Sequence, residues 1–238
     1  MEWRIILSGN SAELGDLSQA LTGADVTIRR EGEEYVLRAS SLQALDSADA
    51  VKDEAERLIA HLDGAARLAF NARTPICVKT IGYWDEGGKR YFLSLTTAAP
   101  TRSTLGSALL FEDAYAEEMT SPNPLAVWVR IADDNENVAK ALRLLGNRRM
   151  NWGDLYRLIE VVEYDLGGRD EIKKRGWATE DALARFRHTA NSVAVSGDNA
   201  RHGKEYTRPP ARPLTLDEGQ AFVESVIRAW LEFRVQAV

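Results

Sequence analysis

A chain of 238 residues that is 45% hydrophobic and 28% charged has the composition of a folded globular protein with room for one large domain or two small ones. Its formal net charge of −6 resides in the front half, up to Ala132, while the remainder is neutral, which excludes the overall basic footprint of a generic nucleic-acid binder. No run approaches the roughly 20 apolar residues of a membrane span, the opening apolar run is too short for a signal peptide, and the lone cysteine, Cys77, cannot close an intramolecular disulfide, so a cytoplasmic location is expected.

The residues Trp3, Arg4, Ile5, Ile6 and Leu7 read as a first strand. Ser11 then caps a short helix with Leu14, Leu17 and Leu21 at helical spacing, stopped by Gly23. The runs 26–29 and 35–38 flank Glu31, Gly32 and Glu33, a hairpin signature. Ser47 opens a second helix whose stripe is Val51, Ala55, Leu58, Ile59 and Leu62, with Gly64 as its end and His61 in a structural role beside Leu62. The runs 75–83 and 90–96 form a second hairpin, in which Cys77 is a packed core thiol. Helices interleaved with hairpins predict helices on one face of a largely antiparallel sheet.

The segment 98–107, rich in small and hydroxyl residues, and the break at Ser121, Pro122, Asn123 and Pro124 mark a domain boundary. Beyond it the apolar period becomes helical. Leu125, Trp128, Ala132, Val138, Leu142 and Leu145 make one stripe, kinked near Asp133 and Asp134. Asn151 caps the next helix, with Leu155, Leu158, Ile159 and Val162 inward, Glu160, Glu163 and Asp165 on a solvated face, and Gly167 and Gly168 as the stop. Thr179 caps a third, carrying Leu183, Phe186, Ala190 and Val193. Thr215 and Glu218 form a capping box opening a last helix with Val223, Val226, Ile227, Trp230 and Leu231. The fold class predicted is therefore α+β: an N-terminal mixed β-sheet with two helices over 1–110, and a C-terminal four-helix bundle over 120–238.

Phosphate-binding loops, dinucleotide fingerprints, nucleophile elbows and zinc spacings are absent, so no cofactor and no metal are expected. One polar cluster remains. It comprises Arg185, Arg187, His188 and Asn191, followed by Asn199, Arg201, His202 and Lys204, inside a segment (169–212) with a local positive surplus. Arg187 and Asn191, four apart, share a helix face. An imidazole near its ordinary pKa can move a proton at a ribose hydroxyl, and a guanidinium can hold a phosphate; His202 and Arg201 are the candidate catalytic pair, with Arg187, His188, Asn191, Asn199 and Lys204 as binding residues. The same side chains can equally tie an irregular Arg- and Pro-rich loop to helix ends.

Through Trp152–Tyr156, Phe186–Asn191, Ala200–Gly203 and Pro213–Leu216, the last 110 or so residues resemble a widespread class of uncharacterised bacterial proteins and, beyond that, a divergent HEPN helical domain. That resemblance implies a bundle that dimerises and, in many members, a metal-independent RNase with an arginine a few residues before a histidine. Here Arg201 abuts His202, while Gly197 and Leu183 stand where the spaced arginine belongs; only the histidine carries over. Two functions follow as expectations: a non-enzymatic binding or adaptor module meeting a protein partner, or an RNA-cleaving or RNA-binding protein of stress or phage defence acting as a homodimer. A small-molecule enzyme is a third reading that no residue set supports.

Overall fold

The computed structural model describes residues 2–84, 90–94, 124–147, 149–201 and 210–236. It is α+β, with a sheet at the front and helices behind, as the pattern of elements predicts. Spatially the chain forms two units: residues 1–56 with 76–126, and 57–75 with 127–238.

In the first unit, β1 (Glu2–Ser8), β2 (Thr27–Glu31), β3 (Glu34–Arg38), β4 (Cys77–Trp84) and β5 (Arg90–Ser94) form an antiparallel sheet in the order β2-β3-β1-β4-β5. Alternation along the strands puts Trp3, Ile5, Leu7, Ile28, Leu37 and Ile81 on one buried face. The hairpin turn at Gly32, with φ near 64°, suits a residue without a side chain. The opposite face carries charge: Arg4 pairs with Glu31 at 3.0 Å, and Arg38 with Glu2 at 2.8 Å. Between Ile6 and Leu7 the register of β1 against β4 slips, because Thr80 and Val78 take the two partner positions and Lys79 bulges out.

Helix α1 (Ser11–Ala20) is capped one residue earlier than expected: the Asn10 side chain accepts from the Ala12 and Glu13 amides. An unforeseen short helix, α2 (Ser40–Gln43), leads to α3 (Ala48–Phe70). Gly64 does not end α3, contrary to expectation. The helix runs on for six residues, and Gly64 instead marks its approach to the backbone of Leu142. Cys77 is half-buried at the start of β4 rather than fully packed. The turn of the second hairpin and the 98–107 connector lie outside the described residues.

The second unit joins the back of α3 to α4 (Pro124–Asp134), α5 (Glu136–Leu145), α6 (Trp152–Asp165), α7 (Glu171–Lys174), α8 (Glu180–Asn191), α9 (Val193–Ser196) and α10 (Leu216–Gln236). The kink expected near Asp133 is a full break, where Asn135 recaps the chain through the amides of Asn137 and Val138. Helix α6 packs on α5, α8 and α10. Trp128, Leu142, Leu155, Phe186 and Trp230 are buried there, as the stripes predict. Arg67 of α3 covers the end of α5, donating to the carbonyls of Leu145 and Asn147.

The carboxylates of α6 depart from the sequence reading. Glu163 and Asp165 are not on a solvated face: their side chains are 7% and 4% exposed, each held by an arginine. Helical spacing places them outward of the apolar stripe, but cationic side chains from α8 and α10 reach over and enclose them.

Candidate functional site

The polar cluster begins on α8. Thr179 starts that helix by accepting from the Ala182 amide, and burial of Leu183, Phe186 and Ala190 fixes its rotation. Arg185, Arg187 and His188 thereby take the remaining faces. The helix stops at Asn191 rather than continuing through Val193. Buried Ser192 then starts the short α9, and a 3-10 turn (Gly197–Asn199) follows.

Thr189, fully buried, organises the return of the chain. Its hydroxyl donates to the Arg185 carbonyl at 2.9 Å and accepts from the Leu214 amide at 3.2 Å. Its carbonyl accepts from Ser196 Oγ at 2.8 Å. These bonds fix both ends of the irregular segment against α8.

The predicted site residues are largely engaged within the protein. Arg185 donates to the carbonyls of Arg212 and Pro213, at 2.7 and 3.3 Å. Arg187 donates from Nη2 to Glu163 Oε1, and Arg169 lies 3.7 Å from the other carboxylate oxygen. Asn191 donates from Nδ2 to the Arg187 carbonyl at 2.8 Å. This leaves Asn191 Oδ1 and Arg187 Nε as buried polar atoms without a partner. Arg201 donates to Glu160 at 2.6 Å, and its guanidinium carbon sits 4.1 Å from the centre of the Tyr156 ring. Its amide bonds the Ala190 carbonyl at 3.0 Å. His188 is half-buried in the last turn of α8. His202 and Lys204 lie outside the described residues.

What the structure brings together is Asn199 and Arg201. With Ala200 and Asp198 they face Asn151, Gly153, Arg157 and Glu160 of the α6 entry across a cleft of about 370 Å³. Asn151 is spent as a cap in part: its Oδ1 accepts from the Asp154 amide, while Asp154 accepts from the Asn151 amide, a capping box. Arg157 donates to Asp154 at 3.1 Å yet remains 65% exposed. The lining thus holds two guanidinium groups, two carboxylates and two side-chain amides. It can grip a polar group by hydrogen bonds with little net charge of its own.

Sequence reasoning missed the α6 half of this cleft. Its signal was the spacing of Gly153, Arg157 and Glu160, four and then three apart, which puts them on one face. Among the described residues no group of three or more His, Cys, Asp or Glu side chains is placed to hold a metal ion. No family model, curated protein or solved structure matches the chain.

Proposed function

We propose that this protein is a non-catalytic binding or adaptor module, acting in the cytoplasm, whose helical unit engages a protein partner. One observation carries the reading. The three described guanidinium groups of the cluster, those of Arg185, Arg187 and Arg201, are each taken up by carbonyl or carboxylate oxygens of the protein itself. A group meant to neutralise a phosphate in a transition state works best with its donors preorganised and uncommitted; here they brace the chain. The lone cysteine supports the reducing setting, and no described helix is long and apolar enough to cross a membrane.

The competing reading is a HEPN-like, metal-independent RNase working as a homodimer. A single comparison separates the two. Purified full-length protein is incubated with RNA in EDTA beside the His202→Ala variant, and sedimentation velocity reports the number of copies. The adaptor reading expects intact RNA in both reactions. Accumulation of 2′,3′-cyclic ends that His202→Ala abolishes overturns it.

A further inference from the structure

His61 is enclosed where α3 meets the break between α4 and α5. Arg57, His61 and Gly64, at offsets of four and seven residues, lie on one side of α3. Arg57 reaches Asp133 at the end of α4, at 3.0 Å. Gly64 lies against the Leu142 backbone of α5. Between these contacts Arg143 of α5 directs Nη1 at His61 Nε2, 3.4 Å away, and pairs through Nη2 with Glu136 at the start of its own helix.

A guanidinium only donates, so Nε2 is the acceptor and the ring proton rests on Nδ1. Nδ1 is buried and has no hydrogen-bond partner, and the residue as a whole is 1% exposed. An unsatisfied buried donor is costly and calls for an account. The charged groups that face the ring are Arg57 on its own helix, Asp133 on α4, and Glu136 and Arg143 on α5. Each carboxylate is engaged by one of the two arginines. An imidazolium there would be a third cation with no carboxylate of its own. Its Nε2–H would also confront an Arg143 N–H, donor against donor. The closed arrangement therefore refuses the proton, and burial followed by the two guanidinium charges holds the ring at about 4 against an ordinary 6.5.

We propose that His61 is an acid-sensitive latch, whose protonation expels Arg143 and frees the α4–α5 elbow from α3 while the sheet stays intact. The sign follows from linkage: an imidazole released into water takes up a proton near 6.5, so acid favours the open form. The response starts well above the closed ring's own titration. Proton uptake multiplies the open population about tenfold at pH 5.5 and about eightyfold at pH 4.5, relative to neutral pH.

The test is amide hydrogen exchange of the full-length protein between pH 7 and 4.5, read by mass spectrometry and corrected for the intrinsic pH dependence of exchange. Protection across residues 131–145 should fall about tenfold by pH 5.5 and about eightyfold by pH 4.5, while that of β1 and β3 holds. His61→Gln, which has no titrating ring, should flatten the profile. Arg143→Gln, at an exposed position, keeps the idea testable if the first variant does not fold. It removes one cation, releases Glu136 to the imidazolium and offers it a side-chain carbonyl, so the ring is protonated in place and protection should fall less than about threefold by pH 5.5. Protection that stays level in the parent, a fall that persists in His61→Gln or at full size in Arg143→Gln, or a loss shared equally by the sheet overturns the latch.

Discussion

Trp230 donates its indole N–H to the carboxylate of Asp165 at 2.7 Å, joining the last helix of the chain to the end of α6. Arg234 grips the same oxygen, with its Nε at 2.8 Å, and Asn137 of α5 donates to the other at 3.1 Å. One nearly buried carboxylate of α6 thus gathers donors from two other helices, α5 and α10. Asp165→Ala leaves an arginine and an indole N–H without their acceptor and is expected to cost about 3–5 kcal/mol. Urea unfolding followed by circular dichroism measures it. A loss under about 1 kcal/mol would show that water replaces the carboxylate.

Glu163 plays a similar part between Arg187 and Arg169, but it can be dissected by pairs. Glu163→Leu alone strands Arg187 and should destabilise by roughly 2–4 kcal/mol. Adding Arg187→Met should recover most of that loss, since an enclosed ion pair replaced on both sides by apolar groups is close to neutral. A double variant no better than the single one refutes the pairing as the source of the cost.

Two helical glycines should respond oppositely to alanine. A Cβ at Gly64 would stand 2.0 Å from the Leu142 carbonyl oxygen, in backbone that cannot swing aside. Gly64→Ala is expected to cost about 2 kcal/mol or more through forced separation of α3 and α5. At Gly15 the nearest atom is the Tyr35 hydroxyl at 3.4 Å, so the better helix propensity of alanine should prevail, with a gain of up to about 1 kcal/mol. Thermal melts of the two variants should move in opposite directions.

His61 is 1% exposed, and burial, followed by the charges of Arg57 and Arg143, lowers its pKa to about 4. The unfolded chain, with its imidazole near 6.5, therefore binds a proton that the folded chain refuses over the interval between. The contribution to stability is complete above about pH 6.5 and is lost as pH falls through 4, amounting to no more than about 3 kcal/mol. Urea midpoints across this range should fall less steeply in His61→Gln than in the parent. Equal slopes would remove the imidazole from the account.

Much of the fold was legible because it rests on period and caps. The stripes through Leu142, Leu155, Phe186 and Trp230, and the capping residues Asn151, Thr179 and Thr215, act locally and leave local marks. The inward turn of Glu163 and Asp165 left none, since the arginines that enclose them come from 24 and 69 residues away. Gly64 read as a stop because a glycine's usual roles are local, whereas this one serves a contact with another helix. In the candidate site, Asn199 and Arg201 were found by their company along the chain. Arg157 and Glu160 were passed over because a charged helix face looks the same whether or not a loop folds back to make it a cleft.

The bulge at Lys79 has a bearing on how β4 tolerates change. Val78 and Ile81 are separated by an odd number of steps, yet they pair with Leu7 and Ile5, which differ by two. The strand therefore changes parity at that point. Excising Lys79 would leave Val78, Thr80 and Ile81 opposite Leu7, Ile6 and Ile5 in an unbroken ladder, each side chain keeping the face it already takes. Loss of that one residue should therefore be borne, whereas a single insertion in the regularly paired part of β4 would turn one flank of the strand over.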